Sequence, residues 1–177
     1  PTLRSDLVEL VDYSKWFVTR LNTNGVLLTK ELCNKLYEAS LDSVQVTLYS
    51  HDEKIHNLLV GANNFKKTIE GIQNALDAKL NVSINTPLCT LNKDYVSLIK
   101  FINEKFGIEY FTCSGLIVTG KAVEDQSQTT QLTKEEITDV ITKAKEYVDK
   151  KDLDLNFTSP GWMDPEVLEK LKLNFPT

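Results

Sequence analysis

"SVQVTLYSHD", residues Ser43 to Asp52, is the stretch on which the fold turns. A strand's period of two places Val44, Val46 and Leu48 on one face and Gln45, Thr47 and Tyr49 on the other. In a parallel α/β domain both faces are normally covered, and such strands read as nearly unbroken apolar runs. An amide and a hydroxyl on a face that ought to be hidden need water or a polar ligand. The pattern recurs in "NVSINTP", Asn81 to Pro87, where Val82 and Ile84 share one face and Ser83 and Asn85 the other. At the end of "FVTRLNT", Phe17 to Thr23, and the "NG" that follows it, Asn22 and Asn24 fall together.

Helical patterns separate these strands. Leu3, Leu7, Val8, Leu10 and Val11 form a stripe with Ser5 or Asp6 as its cap, and Thr29 to Ala39 carries Leu32, Leu36 and Ala39 on one face. A short helix over Asp52 to Leu59 breaks near Gly61. Phe65 to Lys79 is longer, with Phe65, Ile69, Ile72 and Leu76 at three- and four-residue spacing. Asn92 to Phe106 is a helix stopped by Gly107, and "IEYFTCS", Ile108 to Ser114, is the fourth strand. After the polar segment Val123 to Gln131, Thr133 with Glu136 makes a capping box for a helix to about Lys150. "LDLNFTS" reads as a fifth strand, and Asp164-Pro165 opens a last short helix.

Repeated strand-then-helix units imply parallel strands joined by right-handed crossovers. No G-x-G-x-x-G follows a strand and no Walker A sequence occurs, which weighs against a doubly wound nucleotide-binding sheet. The expectation is one domain over 1–177, a truncated, partial TIM-type (β/α) barrel. A closed eight-stranded barrel fills its interior with bulky branched side chains. Hydroxyls and amides there would be left unpaired, each at a cost of about 1–3 kcal/mol. Gln45, Thr47, Ser83, Asn85, Asn22 and Asn24 are therefore expected to line a lumen that holds something polar.

The bulk composition narrows the partners. With 41% hydrophobic and 25% charged residues and a net charge of −5, the 177-residue chain belongs with ordinary globular proteins. No basic cluster points to nucleic acid, and no apolar run approaches the roughly 18 residues of a membrane span. Three cysteines, Cys33, Cys89 and Cys113, are odd in number and far apart, which favours a reducing cytoplasm over a disulfide framework.

The ordered succession "RLNTNGVLLT", "LDSVQVTLYSHDEKIHNLLVG", "NNFKKTIEGIQNAL", "VSINTPL" and "FTCSGLIVTGKA" resembles the core of radical SAM enzymes, most closely those of the coenzyme PQQ synthesis and peptide-maturase type, over roughly Pro1 to Ala122. The resemblance implies an incomplete (β/α)6 barrel. In that family a C-x-x-x-C-x-x-C motif holds a [4Fe–4S] cluster, which reduces S-adenosylmethionine to a 5′-deoxyadenosyl radical that abstracts hydrogen from a substrate in the barrel. It further implies that Thr47 lies near the methionine or ribose of S-adenosylmethionine, that Asn22 and Asn24 border its pocket, and that Asn85 and Thr86 face cofactor or substrate. Gly115 to Gly120 would lie near the adenine, with Lys121 at a commonly basic position.

The chain departs from the family pattern in lacking C-x-x-x-C-x-x-C, and it opens at "PTLR", just after the place of the glutamate in the family's "GGEPT". The expectation is a middle piece, second helix through about sixth strand. Alone it would retain neither cluster nor S-adenosylmethionine and would be inactive, while its parent turns over a peptide or small molecule. Exposed barrel edges are expected to favour self-association. The competing class is a non-catalytic peptide- or ligand-binding barrel module. Ser50, His51 and Asp52 are adjacent and so do not form a triad, which is assembled from distant segments. His51 and His56 are too few for a metal site, and "SPGW", Ser159 to Trp162, reads as a turn.

Overall fold

A computed structural model describes residues 1–116, 131–158 and 163–172. Helix α1 spans Leu7–Tyr13, strand β1 Arg20–Thr23, α2 Lys30–Glu38, β2 Ser43–Thr47, α3 Glu53–Val60 and α4 Phe65–Asp77. Strand β3 follows at Asn81–Leu88, α5 at Tyr95–Phe106, β4 at Tyr110–Gly115, α6 at Lys134–Lys151, β5 at Asp154–Phe157 and α7 at Pro165–Leu171. The strands form one sheet in the order β1-β2-β3-β4-β5, every pair parallel. Because the order never reverses, right-handed crossovers lay the helices along the same face, as in a barrel wall. The sheet is open between β1 and β5, so the architecture is a partial (β/α) barrel.

The covered face makes the core. Val44, Val46, Leu48, Ile84, Leu88, Phe111, Cys113 and Phe157 are wholly buried, with Leu21 and Leu155 nearly so. Each large apolar side chain hidden this way contributes about 1.5–3 kcal/mol. Local signals set the helix ends. Thr29 Oγ1 accepts from Leu32 N, Asp52 caps Lys54 and Ile55, and Thr133 and Glu136 satisfy each other's backbone N–H. Gly61 and Gly107 take left-handed φ values of 67° and 66° to end α3 and α5.

Several expected elements are shorter than their sequence patterns, most plainly β1, α1 and α5. Strand β1 starts only at Arg20, because its register begins at Arg20 opposite Ser43. Ahead of it, Thr19 is held through its N–H and Oγ1 by the Asp42 carboxylate, and Trp16 and Val18 are 85% and 87% exposed. Helix α1 starts at Leu7. Leu3 stays 89% exposed, and Asp6 gives its carboxylate to Arg4 instead of capping the helix. Helix α5 begins at Tyr95 and not at Asn92, whose side chain is used elsewhere.

Candidate functional site

Strand register turns the polar alternation into rows across the uncovered face. Asn22 lies opposite Gln45, and Gln45 opposite Ser83; one pleat further, Thr47 lies opposite Asn85, Asn85 opposite Thr112, and Thr112 opposite Asn156. On β2 every residue of this face is half-buried while its covered neighbours are fully buried. Gln45 reaches over β3 and donates Nε2 to Thr112 Oγ1 at 3.4 Å, which shows how strongly the sheet curves around these amides. Asn156 Nδ2 donates to the Tyr110 hydroxyl, while its Oδ1 is buried without a hydrogen-bond partner. A buried acceptor left open in this way is costly unless a further donor meets it.

Five of the expected lumen residues, Asn22, Gln45, Thr47, Ser83 and Asn85, come together on this concave face. Asn24 sits just beyond the end of β1, in a turn where its Oδ1 accepts from Val26 N at 3.2 Å. Asn22, Asn24 and Thr47 border one hollow of about 510 Å³, with Val26 and Leu27 on its loop side. Thr86 does not join them. It shares parity with Ile84 and Leu88, is completely buried, and donates Oγ1 to Leu48 O at 2.9 Å on the helix side. Lys121 and residues 117–120 lie outside the described residues, as does the turn expected at 159–162.

Two residues outside the expected lumen set, Asn92 and His56, hold the C-terminal ends of the strands. Asn92 accepts from Cys89 N at 2.7 Å and donates to Tyr49 O and Pro87 O at 2.9 and 3.0 Å, so one buried amide ties β2 to β3. His56 is buried. Its Nδ1 accepts from Tyr49 N at 3.3 Å and its Nε2 faces Asn64 Oδ1 at 3.1 Å, an arrangement that fits the neutral Nε2–H tautomer. Burial pushes its pKa below the usual 6.5, against the opposing pull of Asn64. On α4 the expected stripe of Phe65, Ile69, Ile72 and Leu76 is rotated. The buried residues are Thr68, Gly71, Ile72, Asn74 and Ala75. A glycine in mid-helix was the available signal of a close approach.

The donor set fits a polar ligand of amide- and hydroxyl-binding character. It does not fit an iron–sulfur cluster. Cys33 and Cys113 are buried in the core on the helix side, and burial pushes their thiols up to about 11 and about 12. Cys89 is buried and raised as well. Thiolates are the form that binds iron, and these sites hold the thiol. Among the described residues, no group of three or more His, Cys, Asp or Glu gathers as a metal site. Among them, too, no helix is long and apolar enough to cross a membrane.

Comparison with known proteins agrees with this geometry. The model of the Radical SAM superfamily matches residues 1–102. A protein named "Probable GTP 3′,8-cyclase" from Saccharolobus islandicus (strain Y.N.15.51 / Yellowstone #2) is 35% identical over 112 residues, covering 61% of this chain and 36% of the relative. The chain thus spans about a third of the length of such curated relatives. Streptococcus suis SuiB bound to S-adenosylmethionine matches with a TM-score of 0.73 at 19% identity, over 91% of this chain and 37% of SuiB. SuiB bound to its precursor peptide SuiA gives the same TM-score of 0.73 at 17% identity, over 91% of this chain and 36% of SuiB. At such identities the likeness is one of fold.

Proposed function

The chain belongs to the radical SAM superfamily, and from that premise we propose that its concave face forms part of the S-adenosylmethionine pocket of a hydrogen-abstracting enzyme. The observation that carries this reading is the row Thr47–Asn85–Thr112 beside the row Asn22–Gln45–Ser83, all on the face the helices leave open. Thr47 and Asn85, near the C-terminal ends of β2 and β3, would hold the ribose and amino-acid groups. Asn22 and Asn24 would close the pocket from the loop side, and Gln45 and Ser83 would line its floor. Thr86 acts from behind, bracing β2 against β3. Lys121 keeps its proposed place beside the cofactor on the family resemblance alone. When bound and reduced, S-adenosylmethionine supplies the hydrogen-abstracting chemistry. This chain's own part is to orient it with neutral donors and acceptors and to limit water around it. The cluster ligands and the electron source belong to other sequence of the whole protein, so the chain by itself is inactive and retains neither group.

A peptide substrate, as in the PQQ-synthesis and peptide-maturase group, draws support from the fold shared with peptide-bound SuiB over nearly the whole chain. The stretch that is 35% identical to a probable GTP 3′,8-cyclase favours a nucleotide substrate instead. Open edges at β1 and β5 would promote self-association of the isolated chain, read by light scattering across micromolar concentrations. The deciding test is equilibrium dialysis of the protein, expressed with the sequence that flanks this chain in its gene, against labelled S-adenosylmethionine. Saturable binding that weakens in Asn85→Ala and Thr47→Val supports the reading. Absence of binding in the otherwise folded protein would replace it with a non-catalytic ligand-binding module.

A further inference from the structure

One wall of the hollow beside Thr47 is the loop "NTNGVL", residues Asn22 to Leu27, with Pro1, Thr2 and Leu3 lining the rest, and the placement of the loop is set from behind by α4. Thr68 Oγ1 donates to Asn24 O at 3.0 Å, and Asn74 Nδ2 donates to Leu28 O at 2.8 Å. Between these two bonds the helix carries Gly71, packed so closely that a Cβ there would stand 2.0 Å from Gly25 O and 3.0 Å from Gly25 C. Gly25 is confined on its other side. Its φ is +78°, and a Cβ on it would lie 3.0 Å from Val46 Cγ1 on β2 and 3.5 Å from Thr68 O. Inside the loop, Gly25 N donates to Thr23 Oγ1, Val26 N to Asn24 Oδ1 and Leu28 N to Gly25 O. Every outward-turned group of the loop therefore hangs on a backbone path whose position is fixed by a helix that does not border the hollow.

We infer that Thr68, Gly71 and Asn74 of α4 are positioning residues for the ligand-binding loop after β1, and that cofactor affinity depends on them although none lines the pocket. The inference rests on the concave face being the S-adenosylmethionine site. The physical reasoning is that an amide aids binding only if it is held near its productive place before the ligand arrives. Along the loop, the Thr68 hydroxyl holds the backbone of Asn24, the contact between Gly71 and Gly25 fixes the next residue, and the Asn74 amide anchors the far end at Leu28. A methyl group at Gly71 meets backbone atoms, which cannot swing aside as a flexible side chain would. The loop must then lift away from α4, carrying the Asn24 amide away from Thr47.

The test pairs a severe change with a mild one. In the protein expressed with its flanking sequence, Gly71→Ala and Thr68→Val are compared with Thr68→Ser, which keeps the donor, and with Val148→Ala in α6, which lowers stability at a distance. Two quantities are read: the dissociation constant for S-adenosylmethionine by dialysis, and hydrogen exchange at the Gly25, Val26 and Leu28 amides. Thr68→Val is expected to weaken binding about fivefold, within the range known for residues acting outside a site, and to speed exchange at those amides. Thr68→Ser should restore both, and Val148→Ala should move neither. Gly71→Ala should exceed Thr68→Val; should it fail to fold, the threonine pair decides alone. Unchanged affinity and exchange in Thr68→Val overturns the inference. If the unaltered protein binds no S-adenosylmethionine, the cofactor reading falls by itself. Exchange in the variants then still decides the positional claim: faster loop exchange upholds it and unchanged exchange overturns it.

Discussion

The two faces of the same five strands answer to different physics. On the covered face Val44, Val46, Ile84, Phe111 and Phe157 are wholly buried against helices, and their contribution is to stability. On the concave face Asn22, Gln45, Thr47, Asn85 and Asn156 are half-buried or exposed, linked by few internal bonds, and one buried amide oxygen is left open. A ligand-binding surface has this character, because groups already satisfied within the protein have nothing left to offer. The contrast teaches that polar and core-forming side chains are segregated by residue parity in this sheet; on the proposed reading function and folding divide the same way, and that division can be attacked with substitutions chosen by parity.

The largest effect is expected from Phe111, buried at the middle of the covered face. Phe111→Ala removes a large apolar side chain and leaves a cavity, so it should cost about 3–5 kcal/mol. Urea unfolding followed by circular dichroism reads this as a fall in midpoint with an unchanged slope. A loss below about 1 kcal/mol, far under the usual cost of such a truncation, would mean that the face is not the core. Asn92→Leu comes next. It strips the partner from Cys89 N and frees Tyr49 O and Pro87 O, and leaving such buried groups unmade should cost about 2–3 kcal/mol. The same variant should quicken hydrogen exchange where β2 and β3 end, leaving β5 unaffected.

How much of this is legible in the sequence differs by level. Alternation in Ser43 to Thr47 and Asn81 to Asn85 marks the two faces correctly, because a period of two survives any detail of packing. The caps at Thr133 and Asp164 are equally plain, since capping is a matter of a few adjacent residues, whereas the cap expected at Ser5 or Asp6 is lost because the Asp6 carboxylate pairs with Arg4. Length at the β1 entrance is not, since Phe17 and Val18 have strand-forming side chains but meet no partner in the register that Asp42 and Ser43 impose. Thr86 shows a different error. A family motif draws it to the ligand side, whereas its parity with Val82 and Ile84 already assigns it to the covered side. The α4 clamp is a long-range packing fact, and one mid-helix glycine gives no indication of which backbone it will meet.

Acidification probes the end of β2. The folded protein keeps His56 neutral, with its pKa below 6.5, while the unfolded chain takes up a proton near 6.5. Between those two values the unfolded state binds more protons, so stability falls as pH drops below about 6.5 and levels off beneath the folded value. Protonation of Nδ1 would also end its acceptance of Tyr49 N–H. Urea midpoints taken from neutral pH down through the histidine range should show this slope, and His56→Gln should flatten it. An unchanged slope in that variant would assign the pH response to other groups.

The smallest change in stability gives the sharpest comparison, because the same substitution can be made on each face. Thr86→Val removes the hydroxyl that donates to Leu48 O at 2.9 Å in a fully buried setting, at nearly constant volume. It should cost about 1 kcal/mol and leave ligand affinity within about twofold. Thr47→Val replaces a half-buried hydroxyl of the concave face, so its cost should stay within about 0.5 kcal/mol. Its effect should appear instead in binding of S-adenosylmethionine, measured by dialysis on the protein expressed with its flanking sequence, as a loss of about tenfold, since on the proposed reading a group that hydrogen-bonds the ligand is replaced by one that cannot. If both variants lose stability alike and affinity alike, parity does not separate folding from function in this sheet. If one loses stability and the other affinity, the two faces of one strand pair have been assigned by a single methyl-for-hydroxyl exchange.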